Sequence, residues 1–183
     1  MTIDPSAIPN FGANEPPPGP PPIVKPDADL IADLFTQMEL KFGTDADGDI
    51  VASWEGFRLF AMFRGDNKEL FAIRTYYDRP YELERKPEIL AIVDDWNRET
   101  LWPKVYTHTH DDGVVRLIGE SQLAAPMGVN IDFFVGTTVS WIQASIGFNE
   151  WLKGRLGLED ETSEGGEGSE GDGEGDAGPG LEA

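Results

Sequence analysis

The sequence predicts a mixed α/β domain of the α+β type, in which helices and antiparallel strands form separate groups. Two observations predict this class. Apolar residues recur at helical spacing in three segments and at strand spacing in five others. Turns of two or three residues join successive strands, which is typical of antiparallel pairing. The expected order is a helix, a three-stranded antiparallel meander, a helix, a β-hairpin and a long C-terminal helix.

These elements fall in residues 27–158, between two tails of different composition. Residues 1–26 hold nine of the 14 prolines, and such a run favours extended polyproline II backbone over a packed core. Residues 159–183 hold ten acidic residues and no basic residue among many glycines, a composition that favours disorder. We therefore expect one domain between a disordered Pro-rich N-terminal tail and a disordered acidic Gly-rich C-terminal tail.

The first helix is expected to begin after Asp27 or Asp29, either of which can cap its N-terminus. Gly43 is expected to end it. The meander follows in residues 49–54, 57–63 and 70–79, with short turns between the strands. The apolar stripe of the helix consists of Leu30, Ile31, Leu34, Phe35, Met38 and Phe42.

The second helix is expected to begin near Pro87, because proline is favoured in the first turn of a helix. Residues 104–110 and 114–123 then form a hairpin around the turn residues 111–113. The apolar face of this helix consists of Ile89, Ile92, Val93 and Trp96.

The third helix, residues 130–156, carries more apolar surface than one sheet face requires. Its two adjacent apolar arcs span well over half of the circumference, whereas a helix on a sheet typically needs a stripe of about 100°. We predict that the second arc forms a partner-binding or dimer interface, although the first helix of the same domain could also cover it. The predicted interface residues are Phe133, Trp141, Phe148 and Trp151.

The charge balance restricts the classes of partner. The chain has 14 Lys and Arg against 34 Asp and Glu, a net charge of −20, which argues against nucleic acid and anionic membrane as partners. No cysteine is present, so disulfides and thiolate chemistry are excluded. We find no signal peptide and no apolar run near the roughly 18 residues of a membrane span, and expect a soluble cytoplasmic protein.

The segment His108-Thr109-His110-Asp111-Asp112 is the strongest candidate for chemistry. Histidines two apart on a strand project to the same face, and this spacing occurs in binuclear metal hydrolases. Such sites need further histidines, and the chain contains only these two. The sequence therefore predicts no metal site and no cofactor. A small metal-dependent or carboxylate-based enzyme that uses His108, His110 and Asp112 stays as the alternative hypothesis.

Three short motifs around the second helix and the hairpin resemble the YbjN-type family, over residues 27–156. The resemblance implies a fold similar to type III secretion chaperones, which are small, usually dimeric α/β domains that hold partner polypeptides. It also implies a role in sensory-transduction regulation, without a catalytic motif. The motifs are Trp96-Asn97-Arg98, Trp102-Pro103-Lys104-Val105-Tyr106 and Asp112-Gly113-Val114-Val115-Arg116-Leu117.

Together these observations predict a non-enzymatic protein-interaction domain, chaperone-like or regulatory. We expect it to bind a protein partner through apolar surface and to form a homodimer. The residues alone do not identify the partner.

Overall fold

A computed structural model of the chain describes Gly19 and residues 22–158. The rest of both predicted disordered tails lies outside the described residues. Eleven α-helices and β-strands follow one another along the described part of the chain. They are β1 (Ile23–Val24), α1 (Ala28–Gln37), β2 (Phe42–Thr44), β3 (Ile50–Trp54), β4 (Phe57–Arg64), β5 (Leu70–Tyr81), α2 (Lys86–Glu99), β6 (Lys104–Thr109), β7 (Val115–Ala124), β8 (Val129–Asn130) and α3 (Ile131–Arg155).

Six strands form one antiparallel sheet in the order β2-β3-β4-β5-β7-β6. The predicted meander is β3, β4 and β5, and the predicted hairpin is β6 and β7. The two units join where β5 pairs with β7, from Leu70 opposite Ala124 to Tyr81 opposite Val115. The α+β class and the order of the predicted elements are therefore confirmed.

All three helices lie on the same face of this sheet. The helix-facing side chains of the strands pack into two clusters of buried residues. One contains Phe35 of α1 and Trp141 of α3, and the other contains Ile89 of α2 and Phe148 of α3. The long helix α3 therefore crosses the sheet between α1 and α2. No helix among the described residues combines the length and hydropathy needed to cross a membrane.

Paired structure begins before residue 27, the predicted N-terminal boundary of the domain. β1 pairs with β8, and the carbonyl of Pro22 accepts a hydrogen bond from the amide of Ile131 at 3.2 Å. Pro26 is buried. Proline composition argues against a packed segment here, but Ile23 and Val24 follow the last consecutive proline and have amides that can pair with a strand.

The first helix is shorter than predicted, because the chain reverses at Glu39, whose φ is +56°. Phe42 therefore leaves the helical stripe and lies in the short edge strand β2, where its ring contacts Phe35 edge-on at 5.8 Å. Asp27 is the N-cap, and its carboxylate accepts the amide of Leu30 at 2.9 Å.

The motif residues at the end of α2 fasten this helix to the sheet edge. The Asn97 amide group donates to the carbonyl of Val105 at 2.8 Å and accepts the Val105 amide at 3.0 Å. The indole of Trp96 donates to the carbonyl of Pro103 at 2.9 Å. Asn97 thus satisfies backbone groups on the outer side of β6 that would otherwise be open to a further strand.

Candidate partner-binding groove

The structure separates the four predicted interface residues. Phe133 is 56% exposed at the start of α3, and Trp151 is half-buried. Trp141 and Phe148 are 2% and 0% exposed, so neither can contact a partner without opening the domain. For these two residues the interface prediction is corrected, and for Phe133 and Trp151 it stays a prediction.

Two different elements of the domain cover the second arc of α3. Trp141 stacks on Phe71 of β5, with ring centroids 5.9 Å apart. Phe148 contacts Tyr77 of β5 at 4.7 Å and Trp96 of α2 at 5.1 Å. The sheet and α2 therefore provide the cover for which the sequence suggests α1. Helical periodicity alone does not show that the sheet is wide enough to hold a helix on each side of α3.

The aromatic side of α3 is reinforced by buried polar groups. The hydroxyl of Tyr77 donates to the carbonyl of Ser145 at 3.2 Å, and burial raises the pKa of this phenol. The hydroxyl of Thr75 donates to that of Ser145 at 3.0 Å. The tyrosine therefore stays neutral and serves as a hydrogen-bond donor, which fixes α3 against β5.

A groove of about 430 Å³ lies beside the N-terminal half of α3, and we call it the β7 groove. Phe133 forms one wall, and Trp102, which is 42% exposed, forms the other. Gly136 forms part of the helix wall, and a Cβ atom at this position would meet nothing within 4 Å. The groove is therefore open where the helix has no side chain. Its lining includes Trp102, Gln122, Asp132, Phe133, Gly136 and Trp141.

An unpaired strand edge borders this groove. The pairing of β6 with β7 ends where Lys104 lies opposite Glu120, and Pro103 precedes it. Residues 121–124 of β7 continue past this point and pair only with β5. Such an edge can hydrogen-bond to a further extended chain.

The backbone groups on this edge can be assigned from the hydrogen-bond pattern. The Ala125 amide donates to the carbonyl of Glu69 at 2.8 Å, so odd-numbered residues at this end of β7 point towards β5. Gln122 and Ala124 therefore point their N–H and C=O groups away from β5, and both residues are exposed. Among residues 22–158, no hydrogen bond to these outward groups is found.

The groove beside the edge is lined mainly by apolar groups, and its lining contains a single charged side chain. Met127 is 88% exposed in the turn after β7, and Leu101 is 72% exposed next to Trp102. Asp132 is the one charged side chain in the lining of the groove, and it stands in the first turn of α3. An extended chain with apolar and basic side chains matches this environment.

The candidate chemical residues are not assembled into a centre. The rings of His108 and His110 meet edge-on, with centroids 4.6 Å apart. The Asp112 carboxylate instead accepts the amide of Val114 at 2.9 Å within the hairpin turn. In the described part of the chain, no three His, Asp or Glu side chains are grouped as metal ligands.

Sequence reasoning missed the β7 edge and Gly136. One signal was present, because the predicted hairpin strands had unequal lengths, residues 104–110 against 114–123. A longer strand on one side of a hairpin leaves unpaired edge groups.

Comparisons with known proteins agree on one family. The family model described as "YbjN: Putative bacterial sensory transduction regulator" matches residues 27–151. The crystal structure of YbjN from E. coli, described as "a putative transcription regulator", superposes with a TM-score of 0.61 at 13% sequence identity. The match covers 73% of this chain and 96% of that one, and at this identity it shows the fold alone. Among curated proteins, none matches the sequence.

Proposed function

The chain belongs to the YbjN family, and on that premise we propose that it is a non-enzymatic, chaperone-like regulator in the cytoplasm. It holds an extended segment of a protein partner in the β7 groove. The segment adds to the sheet as a strand, next to residues 121–124 and in line with β6.

The observation that carries this proposal is the open edge of β7. The outward N–H and C=O groups of Gln122 and Ala124 form up to four hydrogen bonds with an added strand. Because the two residues are about 7 Å apart, a partner segment of three or four residues is enough to reach both.

The groove supplies specificity for the side chains of that segment. In an added strand, alternate side chains point to the helix side of the sheet, where Phe133, Gly136 and Trp102 leave open space. One apolar side chain of the partner fills this space. Basic side chains are favoured beside it, because Asp132 is close and residues 27–158 carry a net charge of −9.

A homodimer that formed through the β7 edge would compete with this partner segment. Two copies of β7 can pair about a twofold axis, which sets the same patch of each copy against the other. Pairing of the two β7 strands through their backbone does not by itself supply an apolar side chain to either groove. We therefore propose an extended partner segment as the occupant, and the molar mass in solution distinguishes the two arrangements.

The test blocks the groove without weakening the domain. Gly136→Leu places a side chain in the open space and removes a helical glycine, which gains about 0.5–1 kcal/mol of helix stability. Gly147→Leu is the matched control, because Gly147 is also exposed in α3 and a Cβ atom there would likewise meet nothing within 4 Å. It lies about 16 Å further along the same face of the helix, well away from the groove.

The partner is captured from host extract, purified and titrated against the full chain and both variants. We expect Gly136→Leu to weaken binding at least tenfold and Gly147→Leu to leave it unchanged. Equal affinity of the two variants contradicts the proposal. Light scattering is measured in parallel, and a dimer that only Gly136→Leu dissociates would assign the groove to a second copy instead.

A further inference from the structure

The sheet has a second face, on which none of the described helices packs. Strand alternation places the even-numbered residues of β5, β6 and β7 on this face. Tyr76 of β5, Ile118 of β7 and Tyr106 of β6 lie side by side across these three strands. Neither buried cluster of the helix side includes Ile118, yet it is only 7% exposed.

A cleft of about 290 Å³ opens at this row, and we call it the cationic cleft. Ile118 lies within its lining, together with the rings of Tyr76 and Tyr106. Arg116, His108 and His110 contribute nitrogen atoms to the same lining. The volume is close to the lower limit of about 300 Å³ for small-molecule sites.

The charge of this cleft is opposite to that of the protein. The chain has 34 Asp and Glu residues against 14 Lys and Arg, yet no carboxylate lines the cleft. The nearby Glu120 carboxylate is bound to Arg74 on the same face, with Nη2 to Oε1 at 2.7 Å. That pair neutralises Arg74, so Arg116 sets the charge of the cleft.

Arg116 lacks a partner for its charge. Its Nε atom is buried and makes no hydrogen bond, and within residues 22–158 no carboxylate forms an ion pair with its guanidinium. A guanidinium group that has no carboxylate partner attracts an anion from solution. Guanidinium groups bind carboxylate and phosphate oxygens through paired hydrogen bonds.

The remaining walls of the cationic cleft favour an aromatic ring in the ligand. Phe60 holds Tyr76 edge-on at 5.3 Å, so this ring is fixed against the sheet. Burial, and secondarily the Glu120 carboxylate, raise the pKa of Tyr106, so its phenol is a neutral donor. Aromatic rings and an isoleucine side chain give favourable contacts to a flat apolar group.

We propose that the cationic cleft binds a small organic anion, namely an aromatic ring that carries a carboxylate or a phosphate group. The anionic group lies at Arg116, His108 and His110, and the ring packs on Ile118 and the two tyrosines. This site is on the opposite face of the sheet from the helices and does not depend on the proposed partner groove.

The experiment titrates the full chain with benzoate, phenyl phosphate and the neutral benzyl alcohol, followed by NMR. We expect benzoate or phenyl phosphate to bind at least tenfold more tightly than benzyl alcohol and to shift the methyl signals of Ile118. The tighter of the two anions identifies the group that the cleft prefers. Arg116→Gln should weaken that binding at least tenfold, whereas Arg98→Gln, an exposed arginine on α2, should not.

Three results would overturn the proposal. The first is that neither anion binds, and the second is that benzyl alcohol binds as tightly as both anions. The third is that Arg116→Gln retains the affinity of the unmodified chain. If Arg116→Gln does not fold, the methyl signals of Ile118 in the unmodified chain test the proposal instead. Saturable binding of an anion that leaves these signals unshifted would place the ligand outside the cleft and overturn the proposal.

Discussion

The indole ring of Trp102 stands edge-on to that of Trp141, with ring centroids 5.7 Å apart. An exposed residue on the wall of the β7 groove therefore rests directly on a residue of the core. Phe133, which also lines the groove, lies in the first turn of the helix that carries Trp141. The groove is thus built on packed elements, as a preformed binding site requires.

Substitutions of Trp141 and Phe133 should separate core from surface. Trp141→Asp places a carboxylate in an apolar interior and removes ring contacts, so we expect a loss of at least about 3 kcal/mol in the free energy of unfolding. Phe133→Asp should change stability by less than about 1 kcal/mol, because the side chain is exposed and an acid is favourable in the first helical turn. Urea unfolding followed by circular dichroism measures both, and a stable Trp141→Asp variant would show that the interior assignment is wrong.

The Asn97 contact predicts a second stability difference. Asn97→Ala removes two hydrogen bonds and leaves the backbone groups of Val105 unsatisfied, so we expect a loss of about 1–3 kcal/mol. Arg98→Ala is the control, because its ion pairs with Asp94 and Asp95 are exposed and contribute little. Equal unfolding midpoints for the two variants would contradict a structural role for the asparagine.

Deletions test whether the domain begins at residue 27, as predicted, or at β1. Removal of residues 1–21 retains β1, whereas removal of residues 1–26 also deletes its pairing with β8 and the buried Pro26. We expect the longer deletion to lower the free energy of unfolding by about 1–3 kcal/mol more than the shorter one. Identical thermal unfolding of the two shortened chains would restore residue 27 as the boundary.

Local patterns in the sequence predict the helices and most of the strands well. They predict poorly which segments far apart in the sequence pair or pack together. The α3 helix is bounded as expected because Asn130 caps it through its side chain, accepting the Phe133 amide at 3.0 Å. The interface prediction for Trp141 and Phe148 is wrong because helical periodicity shows only which residues share an arc of the helix. It does not show how wide the sheet is or which other elements cover that arc. The strand β1 escapes prediction because only two residues pair, too few to show an alternating pattern.

The open edge itself depends on a difference between neighbouring strands. The Asn97 side chain satisfies the outward groups of Val105 on β6, whereas no described residue does so for Gln122 and Ala124 on β7. The resemblance to the YbjN family rests on Asn97 and its neighbours, which the structure explains as contacts between α2 and the sheet. Of the motif residues, Trp102 lines the groove, whereas Trp96 and Asn97 do not.

Amide hydrogen exchange of the full chain, resolved by NMR, tests the central claim most directly. In the free protein we expect the amides of Gln122 and Ala124 to exchange at least roughly tenfold faster than those of Ser121 and Leu123, which point towards β5. On binding of the captured partner, the Gln122 and Ala124 amides should become protected, because they then donate to an added strand. Protection of both amides in the free monomer, or fast exchange that persists in the complex, would contradict strand addition at β7.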